Sequence, residues 1–188
     1  MRLKGSKIMH FVPDFTVIDL ETTGRSNQHT QITELSGVKY RNYKPVASYT
    51  TLIKPSDSIM PFVVSLTGIN DKMVKDSPKI NEVIDEFIGF IGDDLVVGHN
   101  VHFDYNLIYD AYYSSYKRVF NNDYSDTLYF SRILNKDASS HKLESLCMYY
   151  DIDREVSHRG LPDCEQTGEL YIKMKKKAQR NDVLYVEG

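Results

Sequence analysis

The apolar residues of this chain follow two rhythms. Phe15 to Leu20 is an apolar run rich in β-formers, and Gln31–Tyr40 and Val46–Ile53 follow it with only short polar pieces between. Connections that short suit antiparallel neighbours, so the first part of the chain predicts three strands in hairpin order. Lys54-Pro55 ends the third, and Pro61 opens a short helix running to Gly68. From Ile80 the rhythm changes. Ile80, Val83, Ile84, Phe87, Ile88 and Ile91 recur at three and four residues, the stripe of one amphipathic helix. Leu95-Val96-Val97 is a short apolar strand ending at Gly98, and a helix begun near His102 carries Phe103, Leu107 and Ala111 on one face. Tyr124–Leu128 predicts a fifth strand. Leu143, Leu146, Cys147 and Tyr150 repeat the helical spacing, and Pro162, suited to a first helical position, starts a last helix reaching about Lys177. Together these make an α/β fold: a mixed five-stranded sheet, three antiparallel strands followed by parallel ones, flanked by helices.

A length of 188 residues favours one domain, read here as an N-terminal extension at 1–13, the domain proper at 14–178 and a C-terminal tail at 179–188. No stretch approaches the roughly 18–20 apolar residues of a membrane span. The basic start leads into no apolar run long enough for a secretory signal, so a soluble, cytoplasmic protein is expected. Cys147 and Cys164 suit neither a zinc knuckle nor a disulfide framework and read as reduced thiols. Lys and Arg number 23 against 26 Asp and Glu, a net charge of -3, which excludes an all-over basic coat but not a local nucleic-acid site. The basic run Lys173, Lys175, Lys176, Lys177 and Arg180 reads as a solvated helix face, with a phosphate-steering tail as the alternative. Fourteen Tyr and eight Phe, dense between Tyr105 and Tyr129, read as core and groove wall, with a base-stacking platform as the alternative.

Three clusters carry candidate chemistry. In Val17-Ile18-Asp19-Leu20-Glu21-Thr22-Thr23-Gly24, two carboxylates two positions apart share one face of a strand end, roughly 6–7 Å apart. Like charges so placed need solvent or cations, and hard divalent metals take such oxygen ligands; the pair is also compatible with surface acids beside a turn. Gly98-His99-Asn100-Val101-His102-Phe103-Asp104 follows a strand and opens a helix, where α/β sheets place their sites. There Asn100 and Asp104 also suit an N-cap and a first-turn acid, and His99 a satisfied histidine. In His158-Arg159-Gly160-Leu161-Pro162-Asp163, a loop histidine and a first-turn acid can face one cavity, or serve only as a loop residue and a dipole acid.

In this order the clusters resemble the DEDD 3′–5′ exonucleases, in the subgroup whose third motif carries His. The likeness runs from about Phe15 to Met174: Asp19-Leu20-Glu21-Thr22-Thr23-Gly24 matches the first motif, His99-Asn100-x-x-Phe103-Asp104 the second, and His158 with Asp163 the third. Gln31 to Val38, Leu66-Thr67-Gly68-Ile69, Asp126-Thr127-Leu128 and Lys142 to Leu146 also look like the proofreading epsilon subunit of DNA polymerase III and the exonuclease segment of Gram-positive polymerases.

The resemblance implies a ribonuclease-H-like fold and two Mg²⁺ or Mn²⁺ ions held by Asp19, Glu21, Asp104 and Asp163. It also implies His158 as general base and release of nucleoside 5′-monophosphates. Leu20, Thr22, Thr67, Phe103, His99 and Asn100 are the implied substrate-binding residues, with Asp126 either a support or a buried cap. The implied partners are single-stranded or frayed DNA 3′ ends and a DNA polymerase. RNA is the substrate of the rival exoribonuclease reading, of the oligoribonuclease or RNase T kind. A silent nucleic-acid-binding subunit would have no need of all five intact groups. Two departures stand out: Gly160 where many relatives have Ala, and Pro162 just before the third-motif acid. No polymerase motifs accompany the domain.

Overall fold

The computed structural model describes residues 2–24, 30–154 and 158–180; most of the tail read at 179–188 lies outside them. Strands β1 (Phe15–Thr22), β2 (Ile32–Arg41), β3 (Lys44–Leu52), β4 (Leu95–Gly98) and β5 (Tyr124–Asp126) form one sheet in the order β3-β2-β1-β4-β5. The β1–β2 and β2–β3 pairs are antiparallel and the β1–β4 and β4–β5 pairs parallel. This is the mixed sheet the sequence predicts. Parallel pairing follows from the helical crossovers α3 (Ile80–Ile91) and α4 (His102–Tyr116), which return the chain to the same end of the sheet.

Alternation along β1 sorts its side chains between two cores. Ile18 and Leu20 join Val83, Ile84, Phe87 and Ile91 of α3 and Tyr105, Ile108 and Tyr112 of α4. Phe15 and Val17 face the other way, onto Leu170, Tyr171 and Met174 of the long helix α7 (Gly160–Arg180). α7 lies close against the sheet: a Cβ on Gly168 would fall 2.7 Å from Tyr40 Cε2, so only glycine allows this approach. The short helices α1 (Pro61–Thr67) and α6 (Leu143–Tyr149) also form as predicted. Cys147 and Cys164 are free and buried.

Several elements depart from the sequence reading. The fifth strand stops at Asp126, and Thr127–Leu134 is helix α5. Asp126 decides this by accepting a hydrogen bond from the Leu128 amide at 2.9 Å, the geometry of an N-cap. A four-residue helix, α2 (Asp71–Val74), is capped in the same way by Asn70. The last helix begins at Gly160, two residues before Pro162. A third-position proline costs no hydrogen bond, because the first intrahelical bond runs from Asp163 N to Arg159 O at 3.0 Å.

The basic run is solvated only in part: Lys176 and Arg180 are exposed, whereas the other three cations are engaged. Lys173 Nζ donates to Tyr150 O at 2.7 Å and Asp151 O at 2.9 Å, Lys177 Nζ donates to Asn135 Oδ1 at 2.9 Å, and Lys175 sits over the Tyr43 ring. These cations fasten α7 to its neighbours. Tyr105, Tyr109, Tyr112 and Phe120 are buried, as the reading of those rings as core expects. The first residues also continue the sheet: Ile8 N donates to Tyr124 O at 2.8 Å, and Tyr124 N to Ser6 O at 3.0 Å.

Candidate active site

The β1 register places Asp19 and Glu21 on the face already occupied by Phe15 and Val17, the face covered by α7. The first turn of α7 brings Asp163 to them. Ligand oxygens of Asp19, Glu21 and Asp163 lie within 4.8 Å of one another. Asp104 enters from the first turn of α4, at the end of β4, and lines the same cavity of about 790 Å³. It stands beside the three-acid group rather than within it. His158, Leu20, His99, Asn100 and Phe103 line that cavity too.

The charges are crowded. Burial, followed by repulsion from Asp104, Asp163, Glu21 and Glu34, holds the Asp19 carboxyl well above its ordinary range. Burial and the Glu21 charge do the same for Asp104. Glu21 is pushed up to about 8, chiefly by burial and then by Asp163 and Glu34. Asp163 is also raised by burial, although Arg154 and His158 oppose the shift. Four acids so arranged favour either protonation or a bound cation.

Sequence comparison identifies the scaffold that carries this arrangement. The RNase T exonuclease family matches residues 16–171. The chain belongs to this exonuclease family. Its motifs place the exonuclease in the DEDD 3′–5′ class. It is 35% identical over 172 residues to the PolC-type DNA polymerase III of Halalkalibacterium halodurans, covering 92% of this chain and 12% of that protein. The exonuclease thus spans about an eighth of that relative's length. Exonuclease X in complex with 5′ overhanging duplex DNA superposes with a TM-score of 0.73 at 24% identity, over 88% of this chain and 93% of that one. Exonuclease I from E. coli in complex with a dA16 oligonucleotide gives 0.76 at 16% identity, over 90% and 42%. These two likenesses bear out the fold.

Several residues implied as substrate contacts in the exonuclease are engaged internally. His99 Nε2 donates to His141 O at 3.0 Å, which leaves Nδ1 to accept from the Thr127 hydroxyl at 2.9 Å. Burial lowers its pKa, in keeping with a neutral ring. Thr67 is buried; its hydroxyl donates to Val63 O at 3.0 Å and accepts from Ile69 N at 3.1 Å. Thr22 donates to Gly24 O at 3.3 Å. Asn100 has a left-handed backbone and donates its amide to Asp126 Oδ1 at 2.9 Å, so Asp126 is a cap for two chain segments. Phe103, by contrast, is 38% exposed and presents its ring to the cavity.

Other contributors escaped the sequence reading. Glu34, opposite Glu21 across the β1–β2 pair, is only 3% exposed. Arg159 Nη2 donates to it at 2.9 Å, and so does the Gly160 amide, which ties the start of α7 to β2. A Cβ on Gly160 would fall 2.7 Å from Ser36 Cβ. The signal for this tie was an acid between Ile32 and Leu35 in a stretch of β-formers, since a buried carboxylate requires a cation. Arg132 and Lys142 are exposed at the rim of the cavity, and the sequence offered a phosphate-steering role only for the last helix, as the alternative to a solvated face.

Proposed function

We propose that this exonuclease removes nucleoside 5′-monophosphates from the 3′ ends of single-stranded or frayed DNA in replication proofreading or repair, in the cytoplasm. In this reading Asp19, Glu21, Asp104 and Asp163 hold two Mg²⁺ or Mn²⁺ ions, and His158 accepts the proton of the attacking water at a ring nitrogen. The observation that carries it is the convergence of three carboxylates within 4.8 Å, with Asp163 Oδ1 buried and accepting no aligned hydrogen bond even from Arg154, whose Nη2 lies 3.2 Å away. An oxygen left in that state suits a cation. When bound, such ions supply Lewis acidity toward a phosphodiester and cancel the repulsion between its charge and the acids. Arg132 and Lys142 attract the incoming phosphates from the rim, Phe103 offers a face to the terminal base, and Leu20 forms part of the apolar floor. His99 contributes by bracing α5 and the loop at His141.

DNA is favoured by the likeness to a polymerase segment. The test is degradation of 5′-labelled single-stranded, mismatched and paired DNA beside matched RNA, with and without Mg²⁺ or Mn²⁺. A ladder of shortening products is expected, fastest on single strands and mismatches, abolished by chelator and blocked by a 3′-phosphate. Cleavage of circular single strands at the linear rate would overturn the exonuclease reading, and faster loss of RNA would move the substrate to the exoribonuclease class.

A further inference from the structure

Asp163 is the one acid of the four in ion-pair contact with a Lys or Arg among the described residues: Arg154 Nη2 lies 3.2 Å from its Oδ1. Arg154 enters from the loop after α6, and its side chain is 13% exposed. The contact is electrostatic, because Oδ1 accepts no aligned hydrogen bond. The other carboxylate oxygen accepts from the His158 amide at 3.1 Å. Arg159, the neighbouring cation, is committed to Glu34. Arg154 is itself held by Gln166, one turn along α7 from Asp163, so the guanidinium is aimed by the helix that carries the acid.

We infer that Arg154 is an internal stand-in for the divalent cation. It compensates Asp163 when the metal is gone and competes with metal for that carboxylate, so it raises the concentration of metal at which the site fills. This rests on the metal reading above. The physical ground is that a positive group a few ångströms from a cation site stabilises the empty site and repels the ion that would fill it. Arg154 is on this account a positioning residue.

The test uses chelator-stripped full chain, calorimetric titration with Mn²⁺ alone, and melting with and without saturating Mn²⁺. Arg154→Gln is expected to melt lower than wild type without metal, to show a larger stabilisation by Mn²⁺, and to bind it about tenfold more tightly. Arg154→Lys, which keeps the charge, should stay close to wild type in affinity. If both variants lose the same stability with and without Mn²⁺ and bind it as wild type does, Arg154 only packs and the inference falls. A wild-type protein that Mn²⁺ neither binds nor stabilises overturns the metal reading and this inference together.

Discussion

Replacing Asp19 or Asp104 with Ala is expected to lower the exonuclease rate by several orders of magnitude while leaving the fold intact. Each proposed ligand lost weakens the hold on an ion that would touch the reacting phosphate. Stability should move the other way. The site acids are held above their ordinary values in the folded, metal-free protein, Glu21 at about 8. A carboxyl raised in this way binds more protons folded than unfolded between about pH 4 and its folded value. Metal-free stability therefore falls as the pH rises through that window. Asp19→Ala removes one charge from the cluster, so its metal-free melting temperature should equal or exceed that of wild type. Its decline between pH 5 and 8 should also be shallower. Rate measurements on the purified variants, with melting curves across that range, check both halves. A variant that keeps near wild-type activity would remove its residue from the site.

His158→Ala should cost roughly 10²–10⁴-fold in rate, the usual worth of a positioned base, with metal binding nearly unchanged. The backbone sharpens the experiment. His158 has a φ of 57°, and its amide, which any substitution except proline retains, holds Asp163. His158→Asn suits the same left-handed conformation and separates loss of the imidazole from loss of the loop geometry. Full rate in His158→Ala at pH 7, or a loss traced by calorimetry to metal affinity alone, would defeat the general-base assignment.

β1 and β4 were legible as apolar runs with punctuated ends, and β2 and β3 as stretches of β-formers set off by short polar pieces. The same alternation that buries Phe15 and Val17 sends Asp19 and Glu21 to the α7 face, so that part of the site followed from sequence. Asp126-Thr127 was misread because a capping acid followed by an apolar residue looks the same in a strand as at a helix start. Glu34–Arg159 and Arg154–Asp163 join residues 125 and 9 positions apart, and no local rhythm encodes either pairing. Whether a lysine is free or fastened also depends on what packs beside it, which is why Lys173 and Lys177 were misjudged and Arg132 and Lys142 overlooked.

The contact between Gly160 and Ser36 sets a rule of exchange between two distant positions. With Ser36 in place, whose hydroxyl also meets Thr50 Oγ1 at 2.9 Å, a methyl group at 160 has no room. The space is shared, so one strand residue and one helix residue must divide it. Relatives that carry Ala at the position of Gly160 should carry Gly at that of Ser36, and the serine should appear only beside glycine. An alignment of the family would show the two columns changing together, and a chain with both side chains would have to lift the start of α7, and Asp163 with it, away from β1.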